Sequence, residues 1–159
     1  MADARIFEDL KADHDRHRDL LKKIGASDAA ARKSLFDTFR VEVTAHAAAE
    51  EESLYATMLA KPDLRDDARH SVSEHKEIDD FLGALSEMDI ASDDWMTKFA
   101  EMRHRYEHHI DEEEEEMFPA AADGLTDAEE ARLADTFEAR KPAELARAQA
   151  NPPSADDRE

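Results

Sequence analysis

Two segments of the chain place a histidine and a glutamate one helical turn apart. They are His46 and Glu50 in HAAAEEESLY, and His109 and Glu113 in HIDEEEEEMF. Upstream of each pair, large apolar residues recur at spacings of three and four, and both pairs continue this stripe of an amphipathic helix. A buried carboxylate without a partner costs several kcal/mol, so each glutamate must be paired or bound to a cation. Imidazole and carboxylate without sulfur suit iron, manganese or zinc, and the pattern therefore predicts a buried metal site.

A second pair of segments repeats at nearly the same interval. DHDRHRDLL contains His14, and EHKEIDDFL contains His75 roughly sixty residues later; the two histidine–glutamate segments are separated by a similar distance. Two similarities at nearly one interval predict an internal duplication of a helical hairpin. His14 and His75 also lie on apolar stripes. We therefore expect each hairpin to supply two histidines and one glutamate.

The elements that must position these side chains are helices. The apolar stripes and the low content of only three glycines predict an all-α fold, an up-down-up-down four-helix bundle with a shorter C-terminal fifth helix. The predicted helices run from about Asp3 to Lys23, from Ser27 or Asp28 to about Leu59, from Pro62 to about Leu85, from Ser92 to Pro119, and from Thr126 to about Lys141. Residues 1–120 are assigned to the bundle, 121–150 to a C-terminal helical extension and 151–159 to a flexible tail.

The predicted turns lie close to the midpoints between successive candidate residues. On antiparallel neighbours, residues equidistant from the connecting turn lie at one depth, so the four histidines should converge. Helices in a bundle lie roughly 8–10 Å apart, close enough for inward side chains to share ions. Four histidines and two glutamates are too many ligands for one tetrahedral zinc. They suit two metals about 3.5–4 Å apart, each held by two histidines and bridged by both carboxylates.

The composition narrows the classes of function. The chain has 159 residues, which is typical of one domain, and a formal net charge of −20. This charge argues against nucleic acid and anionic membranes as partners. The chain has no cysteine, which excludes thiolate catalysis and sulfur-ligated metals. The first residues show no export signal, and no apolar run approaches the ~20 residues that span a bilayer, so a cytoplasmic location is expected.

The order of the histidines and glutamates resembles the hemerythrin-like, or HHE cation-binding, domain over roughly residues 5 to 120. The resemblance implies a four-helix bundle with two non-haem iron ions, joined by an oxo or hydroxo bridge. By position, it assigns six metal ligands: His14, His46, Glu50, His75, His109 and Glu113. The first two histidines would bind one iron, the last two the other, and both glutamates would bridge. The implied partners are oxygen, hydrogen peroxide or nitric oxide.

Two departures from the family's oxygen carriers argue against reversible oxygen carriage. Those carriers have a fifth histidine one turn after the one that matches His75, where this chain has Asp79, with Ile78 beside it. Their last pair is spaced by five residues with aspartate as the acid, whereas His109 and Glu113 are spaced by four. Two functions stay open: a di-iron enzyme or sensor acting on oxygen, peroxide or nitric oxide, and a non-catalytic module for iron storage, buffering or sensing.

Other polar residues receive simpler interpretations. His17 lies on an apolar stripe, but its partner in the repeat is Ile78, so a core or supporting role is favoured over ligation. Tyr106 is expected in the core, with a hydroxyl that could donate to bound oxygen species. The pattern places His70, His104 and His108 on the surface. The acids that flank Glu113, together with Glu51 and Glu52, are expected to form a solvated face.

Overall fold

The structure is a computed structural model, and it describes residues 4–150. Every regular element among these residues is helical. In chain order the elements are α1 (Arg5–Gly25), α2 (Ala29–Glu50), π1 (Glu51–Tyr55), α3 (Ala56–Leu59), α4 (Arg65–Glu87), α5 (Asp93–Glu112), π2 (Glu113–Met117), α6 (Phe118–Gly124) and α7 (Asp127–Ala150). None of these helices combines the length and the apolarity needed to span a bilayer.

Four long helices form the predicted antiparallel bundle. The hairpin of α1 and α2 packs against the hairpin of α4 and α5, with α1 beside α5 and α2 beside α4. The fifth helix, α7, lies outside this bundle and packs along α1, α2 and π1. The all-α prediction is therefore confirmed, and α7 covers one side of the first hairpin.

The helices begin where the sequence offers capping side chains. Asp28 accepts a hydrogen bond from the Ala31 amide at the start of α2, and Ser92 accepts one from the Trp95 amide at the start of α5. Thr126 and Glu129 form a reciprocal capping box before α7. Each cap satisfies a backbone amide that would otherwise lack a partner, which fixes the first turn of the helix.

A wide π turn follows the histidine–glutamate pair in each hairpin. The segment π1 joins α2 to α3 without a break, and π2 joins α5 to α6. The helix therefore continues past Pro119 to Gly124, rather than ending at that proline as predicted. Pro119 lies in the first turn of α6, where a missing amide hydrogen costs least. Short π turns occur frequently at functional sites.

Two further boundaries differ from the prediction. Pro62 lies in the turn before α4 rather than in its first turn. The fifth helix continues through Pro142 to Ala150, past its expected end at about Lys141. Its second half stays helical because it packs on the bundle: Ala148 is buried, and its carbonyl accepts a hydrogen bond from Arg40. The division of the chain at residue 120 stays a prediction, and the predicted tail, 151–159, lies outside the described residues.

Two apolar clusters fill the ends of the bundle. One contains Phe7, Leu10 and, from α7, Phe137. The other contains Leu21 and, from α5, Trp95. Along α1 the residues pass from the first cluster, through a buried polar layer, to the second. The polar layer is thus closed off from solvent at both ends, and its groups must satisfy one another or bind a ligand.

Candidate metal centre

The buried polar layer brings all six predicted ligands together. They form two groups, in each of which one ligand atom per residue lies within 4.8 Å of the others. The first group is His14, His46, Glu50 and Glu113, and the second is Glu50, His75, His109 and Glu113. Both glutamates belong to both groups, and all six side chains are buried. The arrangement therefore offers two neighbouring cation positions with two shared carboxylates.

The ring Nε2 atoms all face the shared carboxylates. The distances are 3.1 Å from His14 to Oε1 of Glu113, 3.3 Å from His75 to Oε1 of Glu50, 3.6 Å from His46 to Oε1 of Glu50 and 3.7 Å from His109 to Oε2 of Glu113. The two shortest approaches join a histidine of one hairpin to the glutamate of the other. The carboxylates thus lie between the two histidine pairs, where each could bind a cation in either group.

Several of these buried atoms have no hydrogen-bond partner within the protein. They are both carboxylate oxygens of Glu50, Oε1 of Glu113, and Nε2 of His14 and of His46. A buried polar atom without a partner costs about 1–3 kcal/mol, and more when it carries a charge. Cations at the two groups would bind these atoms and remove the cost. The donor set of imidazoles and carboxylates fits first-row transition metals, so the residues present fit a metal centre.

The other ring nitrogen of every histidine in the two groups faces a carboxylate. The Nδ1 atoms lie 2.7 Å from Glu114 for His14, 2.8 Å from Asp13 for His46, 2.9 Å from Glu74 for His109 and 3.4 Å from Glu51 for His75. Such contacts orient the ring and direct Nε2 toward a metal. Glu51 and Glu114, which were expected on a solvated face, are partly exposed and also contact His75 and His14.

These outer carboxylates follow the internal repeat, although the sequence analysis missed them. Asp13 and Glu74 each directly precede the first histidine of a hairpin. Each contacts the histidine on the other helix of the same hairpin, His46 and His109 respectively. Glu51 and Glu114 each directly follow a shared glutamate, and each serves the first histidine of the opposite hairpin. An acid at equivalent positions in both copies was the signal that could have found them.

The charges of the metal-free site follow from burial and from neighbouring groups. Burial, and then the charge of Glu113, raise the pKa of Glu50 well above its ordinary value. Burial acts on Glu113 in the same direction, but the charges of His109 and His14 outweigh it and hold the pKa of Glu113 well below its ordinary value. Burial lowers the pKa of His14, yet the facing carboxylates of Glu113 and Glu114 raise it to about 9. At neutral pH, His14 is therefore protonated, and Glu50 holds a proton more readily than an exposed glutamate does.

Metal binding is expected to release protons, and the metal affinity is expected to rise with pH. His14, with its pKa of about 9, must lose a proton before it can bind a metal, and a metal would also compete with a proton at Glu50, whose pKa is raised by burial. For each proton that is released on binding, the metal affinity rises by about tenfold per pH unit. The raised pKa of His14, about 9, also affects the stability of the metal-free fold. Its contribution to the free energy of unfolding is complete below about pH 6.5 and is lost as the pH rises through about 9. Cobalt titrations between about pH 6 and 9 measure this, and a pH-independent affinity would contradict it.

Asp13 connects one histidine of the site to the fifth helix. Its Oδ2 accepts a hydrogen bond from Nδ1 of His46 at 2.8 Å and one from Nζ of Lys141 at 2.7 Å. Burial raises the pKa of Asp13, but His46 and Lys141 outweigh it and hold that pKa well below its ordinary value. The ring of Phe137, also on α7, packs edge-on against His46 at 5.9 Å between centroids. The fifth helix therefore positions a candidate ligand.

Replacing Asp13 by asparagine is expected to weaken metal binding by about tenfold or more, because carboxylates that orient metal-binding histidines typically contribute 10–100-fold in affinity. The matched control is Asp15→Asn on the same helix. Its side chain is 75% exposed and pairs with Arg18, so the control makes the same charge change away from the site. Cobalt titration of both variants checks the expectation, and equal affinities would show that Asp13 does not position His46.

Several polar residues outside the six candidate ligands have other roles. His17 is buried outside both groups, and its Nδ1 forms a hydrogen bond of 2.7 Å with the Tyr106 hydroxyl. Asp79 is exposed, whereas Ile78 beside it is buried, so Ile78 rather than Asp79 lies on the inner face of α4.

The sequence analysis gave no role to Tyr55, whose hydroxyl donates a hydrogen bond to Oε2 of Glu113. The surface histidines His70, His104 and His108 are exposed, as predicted.

A four-helix bundle that encloses histidines around shared carboxylates defines a cation-binding helical protein. The chain belongs to the Hemerythrin HHE cation binding domain family, whose sequence profile matches residues 5–121. It is similar to a Hemerythrin HHE cation binding domain-containing protein from Mycobacterium kansasii with a crystal structure, at 26% identity and a TM-score of 0.80 over 94% of this chain and 91% of that one. No curated protein shows significant similarity. These comparisons confirm the predicted family and fold.

Proposed function

We propose that His14, His46, Glu50, His75, His109 and Glu113 bind two iron ions, which makes the chain a non-haem di-iron protein. The observation that carries this proposal is the pair of buried groups that share Glu50 and Glu113, with donor atoms that have no partner within the protein. Each ion would have two imidazoles and both carboxylates as ligands. A single structural zinc would use four ligands and would leave the remaining buried donors without a partner.

Bound iron would supply one-electron chemistry toward oxygen, hydrogen peroxide or nitric oxide. The ligands bias that chemistry: carboxylates stabilise the ferric state electrostatically, and the described residues place no fifth histidine in either group. Tyr55 holds Oε2 of Glu113 through its hydroxyl, which orients a shared carboxylate between the two groups. We therefore propose reaction with peroxide or oxygen rather than reversible oxygen carriage.

A cavity gives the second group access to small molecules. It has a volume of about 60 Å³ and reaches His109 and Glu113. A few water molecules fill such a volume, so diatomic molecules and peroxide could enter while larger substrates could not. The two histidines of the first group, His14 and His46, are not among the described residues that line this cavity, and they pack against Phe118 and Phe137 of an apolar cluster.

The alternative function is iron storage, buffering or sensing without catalysis. The acidic lining of the same cavity favours it, since Asp67, Glu74, Glu112 and Glu116 would attract cations as well as admit small molecules. The two functions differ in turnover: an enzyme consumes peroxide repeatedly, whereas a storage or sensing module changes its metal content or its partner and consumes none.

The test is elemental analysis of iron-loaded protein, with an optical spectrum taken before and after hydrogen peroxide. We expect two irons per chain, repeated consumption of peroxide and irreversible oxidation of the reduced protein in air. One zinc without a second ion would refute the two-metal site. Two irons without peroxide consumption would support the storage or sensing function. Oxygen uptake that lasts for hours and reverses under vacuum would restore the carrier function.

A further inference from the structure

A third group of potential ligands lies at the surface, outside the two buried groups. Nε2 of His70 lies 3.4 Å from Oε1 of Glu74 and 3.5 Å from Oε1 of Glu112. One ligand atom from each residue lies within 4.8 Å of the others, which is close enough to share a cation. The His70 side chain is 56% exposed, and the two glutamates are partly buried. The group is therefore accessible to ions from the solvent.

This surface group shares a cavity with the second buried group. The cavity of about 60 Å³ is lined by His70, Glu74 and Glu112, and also by His109 and Glu113. Glu74 belongs to both ends, because the same Oε1 that faces His70 also accepts a hydrogen bond from Nδ1 of His109 at 2.9 Å. An ion at the surface group is thus separated from the buried ligands only by the cavity that both line.

The inner end of the cavity offers a destination for a cation. Glu113 lines the cavity and is 2% exposed, and its Oε1, which lies 3.1 Å from Nε2 of His14, has no hydrogen-bond partner within the protein. A buried carboxylate in that state gains from any cation that reaches it. This feature is independent of the surface acids, and it distinguishes the cavity from an ordinary acidic patch on a chain of net charge −20.

The distribution of charge favours this route over the opposite side of the site. The described residues that line the cavity include five acidic side chains and no lysine or arginine. On the other side, Lys141 lies against Asp13, and Arg18 lies 3.0 Å from Glu114. The carboxylates beside the first buried group are thus already paired with cationic side chains, whereas the cavity is lined by acids without lysine or arginine, so the second group is the favoured point of access.

We propose that His70, Glu74 and Glu112 form an outer site for divalent transition-metal ions, from which ions pass through the cavity to the buried groups. A mixed imidazole and carboxylate site with open coordination positions binds such ions weakly and releases them readily, as a transfer position must. The inference rests on the proposed metal binding by the buried groups, because a transfer site needs a destination.

The experiment follows cobalt uptake by the full-length, metal-free protein. The double variant His70→Ala with Glu112→Gln removes two ligands of the outer site and leaves Glu74, which positions His109. The matched control is His104→Ala with Glu115→Gln, which removes the same side-chain types from exposed positions outside the cavity. The rate of uptake is read from cobalt absorbance, and the number of ions bound is read from equilibrium dialysis.

We expect the outer-site variant to take up cobalt about tenfold more slowly, since a charged cleft raises association rates by ~10-fold or more, and the effect should shrink at high salt. Its final content should stay at two tightly bound ions, while a third, weakly bound ion seen in the unaltered and control proteins disappears. Equal uptake rates in both variants would overturn the proposal, as would loss of a tightly bound ion in the outer-site variant alone. If the unaltered protein binds no tight ions, the buried metal centre itself is refuted.

Discussion

Replacing Glu50 by leucine is expected to raise the melting temperature of the metal-free protein and to abolish its stabilisation by metal. Glu50 is fully buried, and neither of its oxygens has a hydrogen-bond partner. Burial and the charge of Glu113 raise its pKa well above the ordinary value, so the metal-free fold bears the cost of burying an acid that has no hydrogen-bond partner. Removing such a group recovers about 1–3 kcal/mol. For a chain of this length that corresponds to a rise of about 2–12 °C.

With metal bound, Glu50→Leu is expected to lower the melting temperature relative to the unaltered protein, because Glu50 is a candidate ligand in both groups. An ion present at 100 times its dissociation constant stabilises the unaltered protein by about 2.7 kcal/mol per site, and the variant should gain none of this. The control is Glu115→Leu, an exposed acid outside both groups, which should leave both melting temperatures nearly unchanged. Thermal melts of all three proteins with and without cobalt measure these melting temperatures. A metal-free variant that melts lower than the unaltered protein, or one that metal still stabilises, would contradict the prediction.

The second large effect concerns two adjacent histidines. His109 is 2% exposed and belongs to the second buried group, whereas the side chain of His108 is 68% exposed. Successive helical residues point about 100° apart, so only one of the two can face the site. We expect His109→Ala to reduce the metal content from two ions to one or none and to lose most of the metal-dependent rise in melting temperature. His108→Ala should change neither quantity.

The comparison of these variants needs a readout beyond stability alone. A buried imidazole replaced by alanine leaves a cavity and removes the partner of Glu74, so His109→Ala should also destabilise the metal-free protein. The diagnostic quantity is therefore the shift that metal produces in each variant, together with the metal content. A larger loss of metal for His108→Ala than for His109→Ala would show that the assigned inner face of α5 is wrong.

The bundle and the meeting of its six inner side chains could be predicted because both depend on periodicity. The apolar stripes placed His46 and His109 on the inner faces of their helices. The capping residue Asp28 marked the turn before His46, and Ser92 marked the turn before His109. Equal distances from those turns then placed the histidines at one depth. The helical repeat and the hydrophobic effect are local enough to be apparent from the order of the residues.

Other features were missed because they depend on contacts between distant parts of the chain. The acidic run around Glu114 looks solvated in one helix, and only the approach of α1 brings His14 to it. Likewise, the length of α7 past Pro142 depends on its packing against α2 rather than on its own propensity. The π turns after Glu50 and at Glu113 have no composition signal that separates them from ordinary helix.

The sharing of carboxylates between the two hairpins has a consequence for the origin of the fold. Each histidine pair comes from one hairpin, but each group also includes a glutamate from the other. Two of the four outer carboxylates, Glu51 and Glu114, likewise contact a histidine of the opposite hairpin. This is the pattern of a two-fold axis that passes between the two groups. A single ancestral hairpin could have built the same site only as a homodimer of identical chains, because an isologous interface repeats every contact. Gene duplication and fusion would then have turned an intermolecular site into one that a single chain assembles at any concentration.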